Sequence, residues 1–177
     1  MHRSLLSAAL VLVLAASGCS TITPPPPRAV TTPGSAPMPP TGSYVQLANT
    51  GDAEQIVLFA YGLLGTGYRF GGRNPEAGLD CSGMVSYIVE QVSGVRLPHN
   101  AAQIAARTRT IDADALQPGD LVFFNTLNRP YSHMGIYLGD GKFIHAPSSK
   151  GEVRVERMDN RYFARRFDGA RSLQSDS

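Results

Sequence analysis

One unpaired thiol and two imidazoles hold most of the chemistry this chain can perform. The 177 residues contain two cysteines and four histidines. Cys19 ends an apolar leader, so Cys81, in Asp80-Cys81-Ser82-Gly83, is left without a disulfide partner. Downstream lie Ser132-His133 and then His145. A thiol becomes a strong nucleophile when a base and a helix N-terminus favour its thiolate. Asp80 sits where an N-cap belongs, which puts Cys81 in a first helical turn, beside unpaired N–H groups and the positive end of the dipole. The expected reaction is attack of an ionised Cys81 on a carbonyl. His133 accepts the proton and later returns it to a leaving amine, and His145 bonds the far nitrogen of His133 and fixes its tautomer. The backbone N–H of Cys81 is one donor for the developing oxyanion, and Tyr68 is the best side-chain candidate for another. A zinc site built from Cys81, His133, His145 and His99 is the rival chemistry, but the short-spaced ligand pairs of zinc motifs are missing.

These residues need elements to position them. Ile56, Val57, Ala60, Leu63 and Leu64 form an apolar stripe that predicts a helix over 53–64, capped by Asp52. Met84, Val85, Ile88, Val89 and Val92 predict a second helix over 81–93, and a third, short one covers 101–107. Gly65, Gly67, Gly71, Gly72 and Pro75 make a long loop between the first two. Beyond Leu116-Gln117-Pro118-Gly119-Asp120 the pattern turns to short strands at 121–125, 133–138, 142–146 and 152–157. Helices followed by an antiparallel meander predict an α+β class. Gly139-Asp140-Gly141 signals a hairpin, and its loop length decides whether His133 and His145 share a sheet face. A three-residue loop pairing Leu138 with Lys142 puts both on one face, and this is the expected geometry. Read from the residues alone, His99 is a capping or surface residue, and the 126–131 loop has no assigned role.

Tyr68-Arg69-Phe70-Gly71-Gly72, Leu79-Asp80-Cys81-Ser82-Gly83, Leu116-Gln117-Pro118-Gly119-Asp120-Leu121, His133 to Gly139 and Phe143-Ile144-His145-Ala146 resemble, in order, successive blocks of the NlpC/P60 cysteine peptidases. The resemblance implies a papain-like fold with N-terminal helices packed on an antiparallel sheet. It also implies hydrolysis of peptide bonds in peptidoglycan stems or cross-links, with Cys81 as nucleophile, His133 as base, His145 as third polar residue and Tyr68 at the oxyanion site. No cofactor or metal is called for. The chain departs from the family pattern at Leu97-Pro98-His99-Asn100, where relatives usually carry Arg after the Pro. A non-catalytic, peptidoglycan-binding lipoprotein that keeps the fold is the alternative reading.

The chain ends say where such a domain would work. Arg3 followed by a mostly apolar run to Ala16 matches a secretory signal over 1–18 and is too short to span a bilayer comfortably. Ala16-Ser17-Gly18-Cys19 resembles a bacterial lipoprotein processing site, which makes Cys19 the expected acylated residue. Ser20 after it implies the outer membrane, facing the periplasm, where the organism has one. Residues 19–50 are rich in proline and read as a solvated tether, with a reach of roughly 95 Å at ~3.1 Å per residue. The catalytic domain is expected over 51–173, with a tail at 174–177, as a monomer. A net charge of +2 is too small to argue for nucleic acid. Most Lys and Arg lie from Arg129 onward, which suits either an anionic polymer bearing carboxylates or a solvated face.

Overall fold

A computed structural model describes residues 44–49, 51–148 and 151–174. The expected signal segment, Cys19 and most of the expected tether lie outside the described residues.

Helix α1 (Asp52–Gly62) is followed by a loop carrying the two-residue strands β1 (Arg73–Asn74) and β2 (Gly78–Leu79). Then come α2 (Cys81–Ser93) and α3 (Ala101–Arg107). The remaining elements are β3 (Arg109–Ile111), β4 (Leu121–Phe124), β5 (His133–Gly139), β6 (Lys142–His145), β7 (Arg154–Arg157), α4 (Arg161–Ala164) and β8 (Phe167–Ser172). Six strands form one antiparallel sheet in the order β3-β8-β4-β5-β6-β7. This is the expected α+β architecture.

The apolar run of β4 follows from burial on both faces. Leu121 and Phe123 join Met134, Ile136 and Ile144 against α1 and α2, where Ile56, Met84, Val85 and Ile88 complete the main core. Val122 and Phe124 face the other way and pack with Phe143 beneath Phe163 of α4. Each fully buried large apolar side chain contributes roughly 1.5–3 kcal/mol, so α4 seals the second face although it is only one turn long.

Helix α2 has the bounds its apolar spacing predicts. Asp80 caps it, accepting from Gly83 N at 2.7 Å, and Gly94 closes it at φ 72° with its N–H on Glu90 O. Gly83 is required by close approach: a Cβ there would run into the carbonyl of Gly72. The Gly71-Gly72 loop therefore lies directly against the first turn that carries Cys81.

Several expectations need correction. Gly51, not Asp52, is the N-cap of α1. Asp52 N donates to Asn49 O at 3.2 Å, and Asn49 Nδ2 donates to the Asp52 carboxylate at 3.4 Å, so the preceding turn draws Asp52 into the helix. The helix also stops at Gly62, because Leu63 N and Leu64 N turn back onto Ala60 O and Tyr61 O. The domain starts before residue 51. Val45 N donates to Arg107 O and Leu47 N to Leu173 O, each at 2.7 Å, and Leu47 is buried in the core.

The hairpin differs in detail while its consequence holds. Asp140 (φ 52°) and Gly141 (φ 68°) form a two-residue turn, and the closing pair is Gly139–Lys142 rather than Leu138–Lys142. A register shift between Tyr137 and Gly139 leaves Leu138 as an extra residue and restores the Tyr137–Phe143 and Ile136–Ile144 pairs. This bulge undoes the face reversal that the shorter turn alone would impose. His133 and His145 share a face.

Candidate active site

Cys81 is the first residue of α2 and is only partly covered. The backbone N–H groups of Met134, at the start of β5, and of Ser82 and Cys81 itself favour charge on its sulfur. His133 opens β5, and its Nε2 lies 2.7 Å from Nδ1 of His145 on β6. The two rings are nearly perpendicular, at 81°, and Phe143 and Phe163 enclose them. Gly135 makes this approach possible, because a Cβ there would meet Ile144 O at 2.6 Å and the Cβ of His145 at 3.2 Å. Tyr68, Cys81 and His133 line one groove of about 650 Å³, together with Ser82 and His99. The four candidate residues are thus brought together. Cys19, the expected lipidation residue, lies outside the described residues.

The tautomers follow from proton counting. For His133 Nδ1 to accept a proton from the thiol, Nε2 must carry a hydrogen and donate it to His145 Nδ1. His145 Nε2 then carries its own hydrogen. That atom is buried without a hydrogen-bond partner among the described residues.

The electrostatics run against one expectation. Burial first, and the Asp80 carboxylate second, push the Cys81 thiol up to about 11, against the opposing N–H groups of Met134, Ser82 and Cys81 itself. Burial, followed by the Arg154 charge, pulls the His133 imidazole down to about 4. His145 falls further, to about 2, through burial, His133 and then Arg154. Both shifts favour a neutral thiol and a neutral imidazole over the thiolate expected from the helix terminus. Desolvation of a charged sulfur outweighs the helix dipole here. Such a pair can still act as a nucleophile, with the proton crossing to His133 as the sulfur attacks.

Burial, Cys81 and Asp80 all raise the pKa of Tyr68, so its hydroxyl stays a hydrogen-bond donor in the groove it shares with Cys81. His99 is the residue sequence reasoning misplaced. Asn100 caps α3, while His99 reaches back to Asp80 with Nε2 2.9 Å from Oδ1. The same carboxylate accepts from Ser82 Oγ at 3.0 Å and from Gly71 N at 3.0 Å. One side chain therefore ties together the glycine loop, the cap of α2 and the groove wall. The only signal for this in the sequence is the position of His99 just before a helix cap. The 126–131 loop also borders the groove, anchored by Ser132 Oγ, which accepts from Thr126 N and Leu127 N. Among the described residues, no three His, Cys, Asp or Glu side chains converge as a metal site.

The NlpC/P60 family profile matches residues 65–172, a span that includes every residue of this site. The chain belongs to the NlpC/P60 family. A relative named probable endopeptidase NlpC, from Escherichia coli (strain K12), is 36% identical over 165 residues, covering 93% of this chain and 96% of its own. Murein DD-endopeptidase MepH from the same organism is 36% identical over 115 residues, covering 63% of this chain but 42% of its own. The chain therefore spans under half of one relative and nearly all of the other. The crystal structure of the NlpC/p60 domain of the peptidoglycan hydrolase SagA superposes with a TM-score of 0.60 at 32% identity, over 68% of this chain and 97% of that one.

Proposed function

We propose that this NlpC/P60 protein is a cysteine endopeptidase that hydrolyses peptide bonds in peptidoglycan stems or cross-links. The observation that carries the reading is the 2.7 Å bond between His133 Nε2 and His145 Nδ1 beside a partly open Cys81 in the same groove. Cys81 attacks the carbonyl while His133 Nδ1 takes its proton. The C–N bond breaks as His133 returns that proton to the leaving amine, and water then releases the acyl group from sulfur by the reverse sequence. His145 holds His133 in the accepting tautomer. The N–H of Cys81 and the Tyr68 hydroxyl serve the oxyanion. The relatives named as endopeptidases and as a peptidoglycan hydrolase support the substrate class.

Cys19 is the proposed lipid attachment point, and residues 19–44 the tether that lets the domain reach wall polymer from the outer membrane on its periplasmic side. No helix among the described residues is long and apolar enough to cross a membrane. Purified peptidoglycan is digested with the wild-type protein and with Cys81→Ala, and the soluble fragments are identified by mass. New peptide ends are expected only with the wild type, and identical fragment sets in both would remove the hydrolase assignment.

A further inference from the structure

Next to the groove that holds Cys81, a second basin of about 320 Å³ is lined by both imidazoles. Thr126, His133 and Ser148 line both spaces, so the two meet at the ring that hands a proton to the leaving amine. The leaving half of a substrate must lie beside that ring, and the basin is the space that continues from it. We propose that this basin is the leaving-side subsite and selects a free carboxylate on the leaving residue, with Arg154 as the specificity-determining residue. The proposal rests on the peptidase reading given above.

Arg154 is the direct cross-strand partner of His145, so both side chains stand on the face that forms the basin. Its Nε donates to Glu156 Oε1 at 3.1 Å, and Glu156 Oε2 accepts from Asn160 Nδ2 at 3.4 Å. Both oxygens of Glu156 are thereby engaged in orienting Arg154, and that carboxylate is not open to recruit a cation. The terminal amino groups of Arg154 make no hydrogen bond among the described residues and remain for a ligand. Their planar fork matches a carboxylate in a two-point contact, which a lysine does not reproduce. A second observation points the same way. His145 lines the basin, and its buried Nε2 has no hydrogen-bond partner among the described residues. The tautomer that activates His133 makes this nitrogen a donor, so the basin has spare donors and a neutralised acceptor. That inventory fits an anionic group of the carboxylate type.

The test uses two peptides with the same acyl half, whose leaving residue carries either a free carboxylate or a carboxamide. The wild-type protein is expected to favour the carboxylate in kcat/KM by on the order of tenfold to a hundredfold, mostly through KM. Arg154→Gln brings that ratio close to one, and Arg154→Lys retains only part of it. A ratio near one in the wild type, or one that survives Arg154→Gln, overturns the subsite. A binding arm is independent of turnover. Calorimetry of the carboxylate-bearing peptide with Cys81→Ala is expected to show binding that weakens at least tenfold when Arg154→Gln is added, and equal binding in both proteins also overturns the proposal. If neither peptide is cut while the binding difference persists, the subsite stands and the peptidase reading fails. If peptides are cut without discrimination, the reverse holds.

Discussion

At the scale of single residues, the proposed site depends on two hydrogen-bonded rings and a thiol that shares a groove with the first of them. With Cys81 pushed up to about 11, its thiolate fraction below that value grows about tenfold per pH unit. The iodoacetamide rate at Cys81, followed by peptide mass mapping, is expected to climb continuously from pH 6 toward pH 10. A plateau reached by pH 6 would mean a resting ion pair instead. In the proposed mechanism His145 acts through His133, so His145→Ala should lower kcat about a hundredfold, within the usual range for acid–base catalysis, with KM little changed. His145→Gln should restore part of kcat, since its amide can still accept from His133 Nε2. A purely structural role for His145 would instead lower the fraction of folded protein and leave kcat per folded molecule intact.

At the scale of elements, Asp80 joins the glycine loop, the α2 cap and His99 through four hydrogen bonds. Loss of a cap alone costs about 0.5–2 kcal/mol, and here other donors lose their acceptor as well. Asp80→Ala should therefore destabilise the domain by about 2 kcal/mol or more in chemical denaturation. Asp80→Asn, which still caps, should recover part of that. This network also shows what the sequence could and could not disclose. The helix carrying Cys81 was legible because its apolar spacing and its Asp cap agree. His99 was not, because its partner lies on a different element and no local pattern records that contact. The shared face of the histidines was legible from strand alternation, whereas the bulge at Leu138 that secures it was not. Strand β8 escaped detection for a similar reason. Phe167-Asp168-Gly169-Ala170-Arg171-Ser172 lacks apolar alternation, and its buried Arg171 is satisfied only in the fold, by Ala105 O at 3.1 Å and Tyr131 Oη at 2.9 Å.

For the whole molecule, the chain before α1 is part of the domain. Leu47 is buried, and removing a buried leucine forfeits roughly 1.5–3 kcal/mol. A protein beginning at residue 51 should unfold at lower denaturant than one beginning at residue 44, by about that amount. Composition could not reveal this, because Val45 and Leu47 sit at the end of a proline-rich stretch and look like more of the same. Acid should weaken the fold as well. The folded values of His133 and His145 lie below the ordinary imidazole value of 6.5, so the unfolded chain takes up protons first. Their stabilising effect is fully present above about pH 6.5 and is lost as pH falls, through about 4 for His133 and further down for His145. Stability should therefore fall with falling pH across this range, because the unfolded chain binds more protons than the folded one. Denaturation midpoints that stay flat between pH 7 and 4 would show that the rings are not held neutral.

The assignment of Cys81 as a nucleophile meets its most direct test in intact-protein mass spectrometry of the enzyme quenched in acid during turnover of soluble wall peptides. A thioester adduct equal in mass to the acyl half of the substrate, mapped to Cys81 and missing from Cys81→Ser, is the expected result. Release of peptide ends by Cys81→Ala, or an adduct on any other side chain, would contradict it.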